Sequence, residues 1–437
     1  MCIDHKPPPT TVRYQMLAWL CAAALISYIH RNAIAVAVTT ISAELELTKD
    51  EMGWIIGAFF WGYALLHIPA GWVADRWGTR RPLAVFAAVW SIASGLMAAA
   101  TGSFELLLLR FGCGAAQGGV FPCATRSMVD WLPAKRRALA SGLLGSCMSL
   151  GAAMANGMTG TLLEHGVHWR VVLASYTVPG VLWSIGFYVW FRDRPEEHPR
   201  VNDAERVLIR AGRPAAVPSR EISRAATPWF LILTSVPLWL LGAQQFFRAA
   251  GYMFYGSWFP TYLQEGRGLT LEQSGWLSSL PLFAVVAGSP LGGLIADHLF
   301  VVTGSRRISR QGVGVAGMIL SAALVLPSYW IDDPLAAVLF ISAGSFFAAF
   351  GGSVAYTAAM DLGGNHVGTS FAVMNMFGNL GAAVFPSVAA KLRTVSGSWD
   401  AVVFLFCGVY VAAAVCWLFI DPNRVIGEDP EAKAIAP

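Results

Sequence analysis

Apolar runs of about 20 residues or more recur twelve times along this chain, and that repetition limits the fold before any motif is read. They lie roughly at 14–40, 51–74, 82–101, 104–130, 138–163 and 170–192, then at 240–263, 273–300, 312–331, 335–361, 367–394 and 399–420. Runs of this length cross the hydrocarbon core of a bilayer as helices. In lipid every backbone N–H and C=O must find its partner inside the segment, which rules out open strands. Composition agrees, with 56% of the 437 residues hydrophobic, 13% charged and a mean hydropathy of +0.55. Soluble domains carry about a quarter charged residues. The expected fold class is an all-α membrane protein of twelve transmembrane helices.

One long hydrophilic stretch interrupts the series. It divides the chain into a tail (1–13), a six-helix bundle (14–192), a linker with an interfacial segment (193–239), a second six-helix bundle (240–420) and a second tail (421–437). With the N-terminus placed inside, 22 of the 30 Lys and Arg residues fall on the inner side and 5 on the outer. Arg31, Arg110 and Arg248 remain inside spans. The positive-inside rule then predicts both termini in the cytoplasm of a bacterial inner membrane, with lipid as the surrounding partner. This asymmetry explains a sequence pI near 8.7 without a nucleic-acid partner. No cleavable leader is expected, because the polar, Pro-rich start runs longer than a usual n-region. The seven cysteines lack metal-type spacing and read as packing residues, and neither a metal nor a cofactor is expected.

A motif repeats between the bundles. "GWVADRWGTRR" begins at Gly71 and "GGLIADHLFVVTGSRR" at Gly292. Gly71 and Gly293 each precede an aspartate, Asp75 and Asp297, by four residues, and basic pairs follow at Arg80–Arg81 and Arg306–Arg307. Glycine permits close helix approach, an aspartate can cap a helix N-terminus, and arginines can pair with acids. Gly71, Asp75, Arg76, Arg80, Asp297 and Arg306 are therefore candidates for a cytoplasmic gate. The loop resembles the signature of the major facilitator superfamily, which implies two pseudo-symmetric six-helix bundles working by alternating access.

A narrower resemblance covers nearly the whole chain. It rests on "YIHRNAIAVAVTTISAELELTKDEMGWIIGAFFWGYALLHIPAGWVADRWGTR", "GGVFP" and "HWRVVLASYTVPGVLWSIGFYVWFRDRPEEHP" in the first half. "GSWFPTYLQEGRGLTLEQSG" and "MNMFGNLGAAVFP" extend it through the second. These segments are similar to the anion:cation symporter family, proton-coupled carriers of galactonate, glucarate, hexuronates and related organic anions. The resemblance implies a secondary active transporter of a small organic anion, a proton-coupled symporter with a co-transported proton, acting as a monomer.

Several residues become candidates on that basis. Arg31 matches the family's carboxylate-binding arginine, and a guanidinium offers a planar donor fork that stays charged. Tyr28 shares its helix face. His30 and Gln117 stand where the family usually carries proton-handling acids, so the coupling mechanism does not transfer directly. His30 can titrate near neutral pH itself, with a neutral, hydrogen-bonded ring as the alternative, and Gln117 can offer an amide to substrate. Arg110 resembles the superfamily's proton-transfer arginine, or else snorkels to the interface. Arg248, Tyr252 and Tyr255 form an i, i+4, i+7 face suited to an anionic polyol, unless Arg248 reaches lipid phosphates. Tyr63, Trp258, Asn375 and Asn379 complete the candidate cavity by resemblance. Gly142, Gly145, Gly151, Gly157 and Gly160 read as packing glycines, and Asp361 as a solvated helix end.

Other classes fit less well. The polar segments carry no nucleophile–base pair, metal cluster or nucleotide loop, so neither an enzyme nor an ATP-driven pump is expected. A uniporter, exchanger or other-ion-driven carrier of the same fold is the nearest alternative. A non-transporting sensor would be expected to carry an added signalling domain, and none is read.

Overall fold

A computed structural model describes residues 8–210, 229–269 and 271–426. Helix α1 (Val12–Val36) breaks at Ala37 and resumes as α2 (Val38–Glu44). α3 (Lys49–Trp77) opens on a capping box in which Thr48 and Glu51 satisfy each other's backbone N–H groups. α4 (Arg80–Leu96) follows, and the fourth span is split at Gly118–Gly119 into α5 (Ser103–Gln117) and α6 (Val120–Trp131). α7 (Arg137–Glu164) and α8 (Trp169–Trp190) complete the first six spans, and α9 (Asp203–Arg210) lies in the linker.

The second half opens on a short helix, α10 (Trp229–Leu233), then α11 (Val236–Ser257), which begins four residues before the expected start at 240. α12 (Leu271–Thr303), α13 (Val313–Val325), α14 (Pro334–Gly363), α15 (Val367–Ser396) and α16 (Asp400–Phe419) follow. Among the described residues ten stretches are long and apolar enough to cross a membrane. One of them, Pro334–Ser396, contains both α14 and α15, and α11 makes the twelfth crossing. Prolines lie inside α3, α8, α12 and α15, and the carbonyl of Val286 that Pro290 frees in α12 accepts from Ser146 Oγ of α7 at 2.7 Å. Large apolar side chains such as Phe104, Leu182, Trp276 and Phe419 are exposed. In water such a surface would aggregate; in lipid it is the solvated face.

The described chain packs as two units. The first holds residues 8–137, 150–210 and 367–372; the second holds 138–149, 373–426 and the described part of 229–366. The bundle boundaries expected from sequence are thus crossed by the first turns of α7 and α15.

Each unit has the same tie at the end opposite the Arg-rich loops. In the first, the Glu44 carboxylate accepts from the Trp169 indole and from Arg170 Nε (2.9 Å), with His168 Nε2 at 3.1 Å. Arg170 also donates to the carbonyls of Ala98 and Ala100, both at 2.7 Å. In the second unit Glu265 accepts from the Trp399 indole at 3.1 Å. There Arg267 donates to the Tyr262 hydroxyl (2.8 Å) and to the carbonyls of Ser328 and Ile331. Both arginines satisfy carbonyls that a helix end leaves orphaned.

At the basic end, the linker folds onto the first unit. Glu205 is fully buried and accepts from the Thr10 hydroxyl (2.5 Å), the Val12 and Arg13 N–H groups (3.2 and 3.1 Å) and Arg13 Nη1 (2.8 Å). His198, from the "PEEHP" stretch, packs against the rings of Trp131 and Trp190, with centroids 5.7 and 4.9 Å away.

Candidate functional site

The first unit presents one guanidinium in an aromatic setting. Arg31 lies in α1 with its Cζ 4.9–5.4 Å from the ring centroids of Tyr28, Phe59, Phe60 and Tyr63. Nη1 donates to the Tyr28 hydroxyl at 3.3 Å. Among the described residues no carboxylate pairs with it, whereas the buried Arg13 and Arg310 each have an acid. Apolar rings cover the guanidinium faces and leave its in-plane N–H groups as the part able to bind an anion.

The neighbours take distinct roles. His30 is one residue away and therefore about 100° around the helix from Arg31. It is buried near the Tyr176 ring (6.5 Å), and a methyl built on Gly180 would come 3.4 Å from its Nε2, so it packs into the α1–α8 contact. The Gln117 amide donates to the Ser27 carbonyl at 3.0 Å and anchors α5 on α1. Arg110 is buried at 2% exposure with its Cζ 4.7 Å from the Phe59 centroid, which excludes snorkelling to the interface.

In the second unit Arg248 sits mid-helix in α11, away from either end, which removes the lipid-phosphate alternative. Its Nε donates to Gln245 Oε1 at 3.1 Å. A methyl on Gly352 would lie 3.2 Å from its Nη1, so two glycines of α14, Gly351 and Gly352, make room for it. Tyr252, one turn on from it in α11, is half-buried. Tyr255 instead is 3% exposed and packs edge-on against Phe259 and Phe406. The Trp258 indole donates to the Pro386 carbonyl at 2.9 Å, and Asn379 donates to the Asn375 carbonyl at 2.9 Å, as their shared face requires.

The repeated motif forms two carboxylate caps. Asp75 accepts from the N–H groups of Gly368 and Thr369 and from the Thr369 hydroxyl, all at 2.8 Å. Asp297 accepts from the N–H groups of Ala138 and Leu139 at 3.2 and 2.9 Å. A methyl on Gly71 would collide with the Gly368 backbone, and one on Gly293 with the Ala138 backbone. Each carboxylate therefore faces the positive end of a helix dipole at a glycine-permitted contact.

The expected arginine partners differ. Arg80 donates to the Tyr188 carbonyl (2.8 Å) and not to an acid, Arg76 stacks on Trp72, and Arg306 forms no ion pair among the described residues. The acids pair instead with arginines that sequence reasoning passed over. Arg126 lies 3.9 Å from Asp75 and 3.1 Å from Asp130. Arg310, fully buried in the wide turn Arg307–Gly312, lies 3.1 Å from Asp361 and 3.7 Å from Asp297. Asp361 is thus not a solvated helix end. It is 5% exposed and held by a buried charge. His67 was also missed: it is fully buried one turn below Tyr63, its ring stacked on Tyr63 at 4.8 Å. The i, i+4 spacing Tyr63–His67–Gly71 was the available signal.

The twelve helices, the duplicated caps and the membrane-embedded arginines define a transport fold. The chain belongs to the Major Facilitator Superfamily, whose sequence profile matches residues 20–386 and 305–437. It is 30% identical over 424 residues to a protein of Cupriavidus necator named "probable sulfoacetate transporter", covering 97% of this chain and 96% of that one. It is 27% identical over 434 residues to a "probable galactarate/D-glucarate transporter" of Bacillus subtilis, covering 95% and 94%. Among solved structures, a proton:xylose symporter bound to 6-bromo-6-deoxy-D-glucose superposes with a TM-score of 0.73 at 15% identity, over 95% and 97% of the two chains, and supports the fold.

Proposed function

We propose that the protein is a secondary active carrier of small organic anions, proton-coupled and working by alternating access, with both termini cytoplasmic in a bacterial inner membrane. The carrying observation is Arg31: a guanidinium in a membrane-spanning helix, ringed by four aromatics and lacking an acid partner among the described residues. An intramembrane charge is costly unless function retains it. In this reading Arg31 grips the substrate's anionic group while the Tyr28 hydroxyl orients it. Arg248, with Gln245 and Tyr252, offers the second unit's polar station. Asp75 and Asp297 are the gate elements whose caps hold one state of the cycle.

The relatives' names suggest sulfonates and sugar acids as first probes. The test is counterflow in proteoliposomes at equal pH, with labelled sulfoacetate, galactarate and D-glucarate. Saturable exchange that disappears in R31A is expected. If none of the three exchanges and none shifts the melting temperature, the organic-anion reading falls.

A further inference from the structure

Resting on that carrier reading, we infer that His67 is the titratable group that links proton binding to anion binding. The geometry runs in one continuous chain. Arg31 Cζ lies 5.4 Å from the Tyr63 centroid, and Tyr63 stacks on His67 at 4.8 Å with 25° between the planes. A methyl built on Gly118 would lie 3.4 Å from the His67 backbone N, so α3 passes close against the break between α5 and α6. From α15 the Phe371 ring meets that of His67 at 6.5 Å. Along its own helix the row continues by fours through Gly71, pressed on the Gly368 backbone, to Asp75, which caps the same segment. Such i±4 rows are the ridges by which helices interlock.

His67 therefore lies one ring from the anion arginine, beside the broken fourth span, and against the first turns of α15 through another ring. Among the described residues, charged and titratable groups approach it from α1 and α3. α1 contributes Arg31, and α3 contributes Tyr63 and, two turns on, Asp75; α15 contributes a phenyl ring. With Arg31 bare, a second positive charge at His67 is disfavoured. An anion on Arg31 cancels that repulsion, so the imidazole gains a proton and becomes imidazolium as the anion binds. When the anion leaves, the proton leaves to the same side. His30 cannot do this as directly, because it faces the α8 packing.

The experiment uses proteoliposomes with sulfoacetate and galactarate as probes. First, counterflow is measured at equal pH; then accumulation is measured with the inside one pH unit more alkaline, a gradient that drives about ten-fold accumulation per coupled proton. Wild type and H30Q should accumulate probe, whereas H67Q should still exchange it but fail to concentrate it. H67Q keeps a polar side chain of similar reach that cannot titrate, and H67N serves as the second variant if H67Q does not insert. In unbuffered detergent a pH indicator should also show proton uptake on probe binding by wild type and none by H67Q. Equal accumulation by H67Q and wild type, or no gradient response in wild type, overturns the inference while counterflow leaves the carrier reading standing. Absence of counterflow in wild type removes both.

Discussion

Asp75 and Asp297 do the same thing in two places: each accepts two successive backbone N–H groups at the start of a helix, Gly368–Thr369 for one and Ala138–Leu139 for the other. Each stands four residues after a glycine that lies against the capped backbone. Carboxylate and glycine therefore act as a pair, since the cap is reachable only where the backbones nearly touch.

Removing either half of that pair should shift the conformational balance more than probe affinity. D75N and D297N weaken the caps, and G71A and G293A overpack the contact at a cost of about 1–3 kcal/mol. Cysteine accessibility from the two sides of the membrane reads the balance. A wild-type accessibility pattern in all four variants would show that the motif only sets topology.

Arg31 should behave as a substrate ligand. R31A loses charge-assisted hydrogen bonds worth about 1.5–3 kcal/mol each, about ten- to a hundred-fold in affinity. R31K should recover little, because an ammonium cannot reproduce the in-plane fork that the four rings orient. Melting-temperature shifts with sulfoacetate and galactarate report the affinity, and an unchanged shift in R31A contradicts the assignment.

Arg310 and Asp361 should matter for stability. Breaking a buried pair strands a charge and costs about 3–5 kcal/mol. D361N and R310A should therefore lower the melting temperature in detergent well below that of R306A, whose side chain makes no ion pair among the described residues. Comparable melting of all three would mean that Asp361 is hydrated after all.

The Glu44 tie predicts an acid limit. The Trp169 indole, followed by Arg170, holds the Glu44 carboxyl below its ordinary value of 4.5. A depressed carboxylate contributes stability that is present above about pH 4.5 and is lost as pH falls through the lowered value. E44Q should remove this contribution and flatten the melting-temperature profile below about pH 4.5, where wild type loses it. Parallel wild-type and E44Q profiles would show that the tie is not coupled to protonation.

Much of this was legible in the sequence. Span lengths gave twelve helices, and the repeated G-x-x-x-D placed both caps, because close approach and capping each demand one residue type. Pairing was less legible. Asp361 sits at the end of a predicted span and so looks wet, while its partner Arg310 lies 51 positions earlier inside a turn that reads as a topology signal. His67 is less legible than His30, because it stands alone on an apolar helix with no neighbouring charge to mark it. The Glu44 and Glu265 ties had a visible trace in "ELELTKDEMGW" and "EGRGLTLEQSGW". Recognising it needed the knowledge that a distant tryptophan and arginine would close on each glutamate.

Glu205 has a consequence for how the chain is made. Its carboxylate holds the very start of α1, yet it is synthesised 192 residues after Arg13. Six spans must enter the bilayer before the first of them is fastened at that end. Until the linker is made, the Arg13 guanidinium and the opening N–H groups of α1 lack the carboxylate they hold in the folded chain. A chain terminated after α8 would hold every membrane-spanning segment of that bundle and still lack the residue that finishes it.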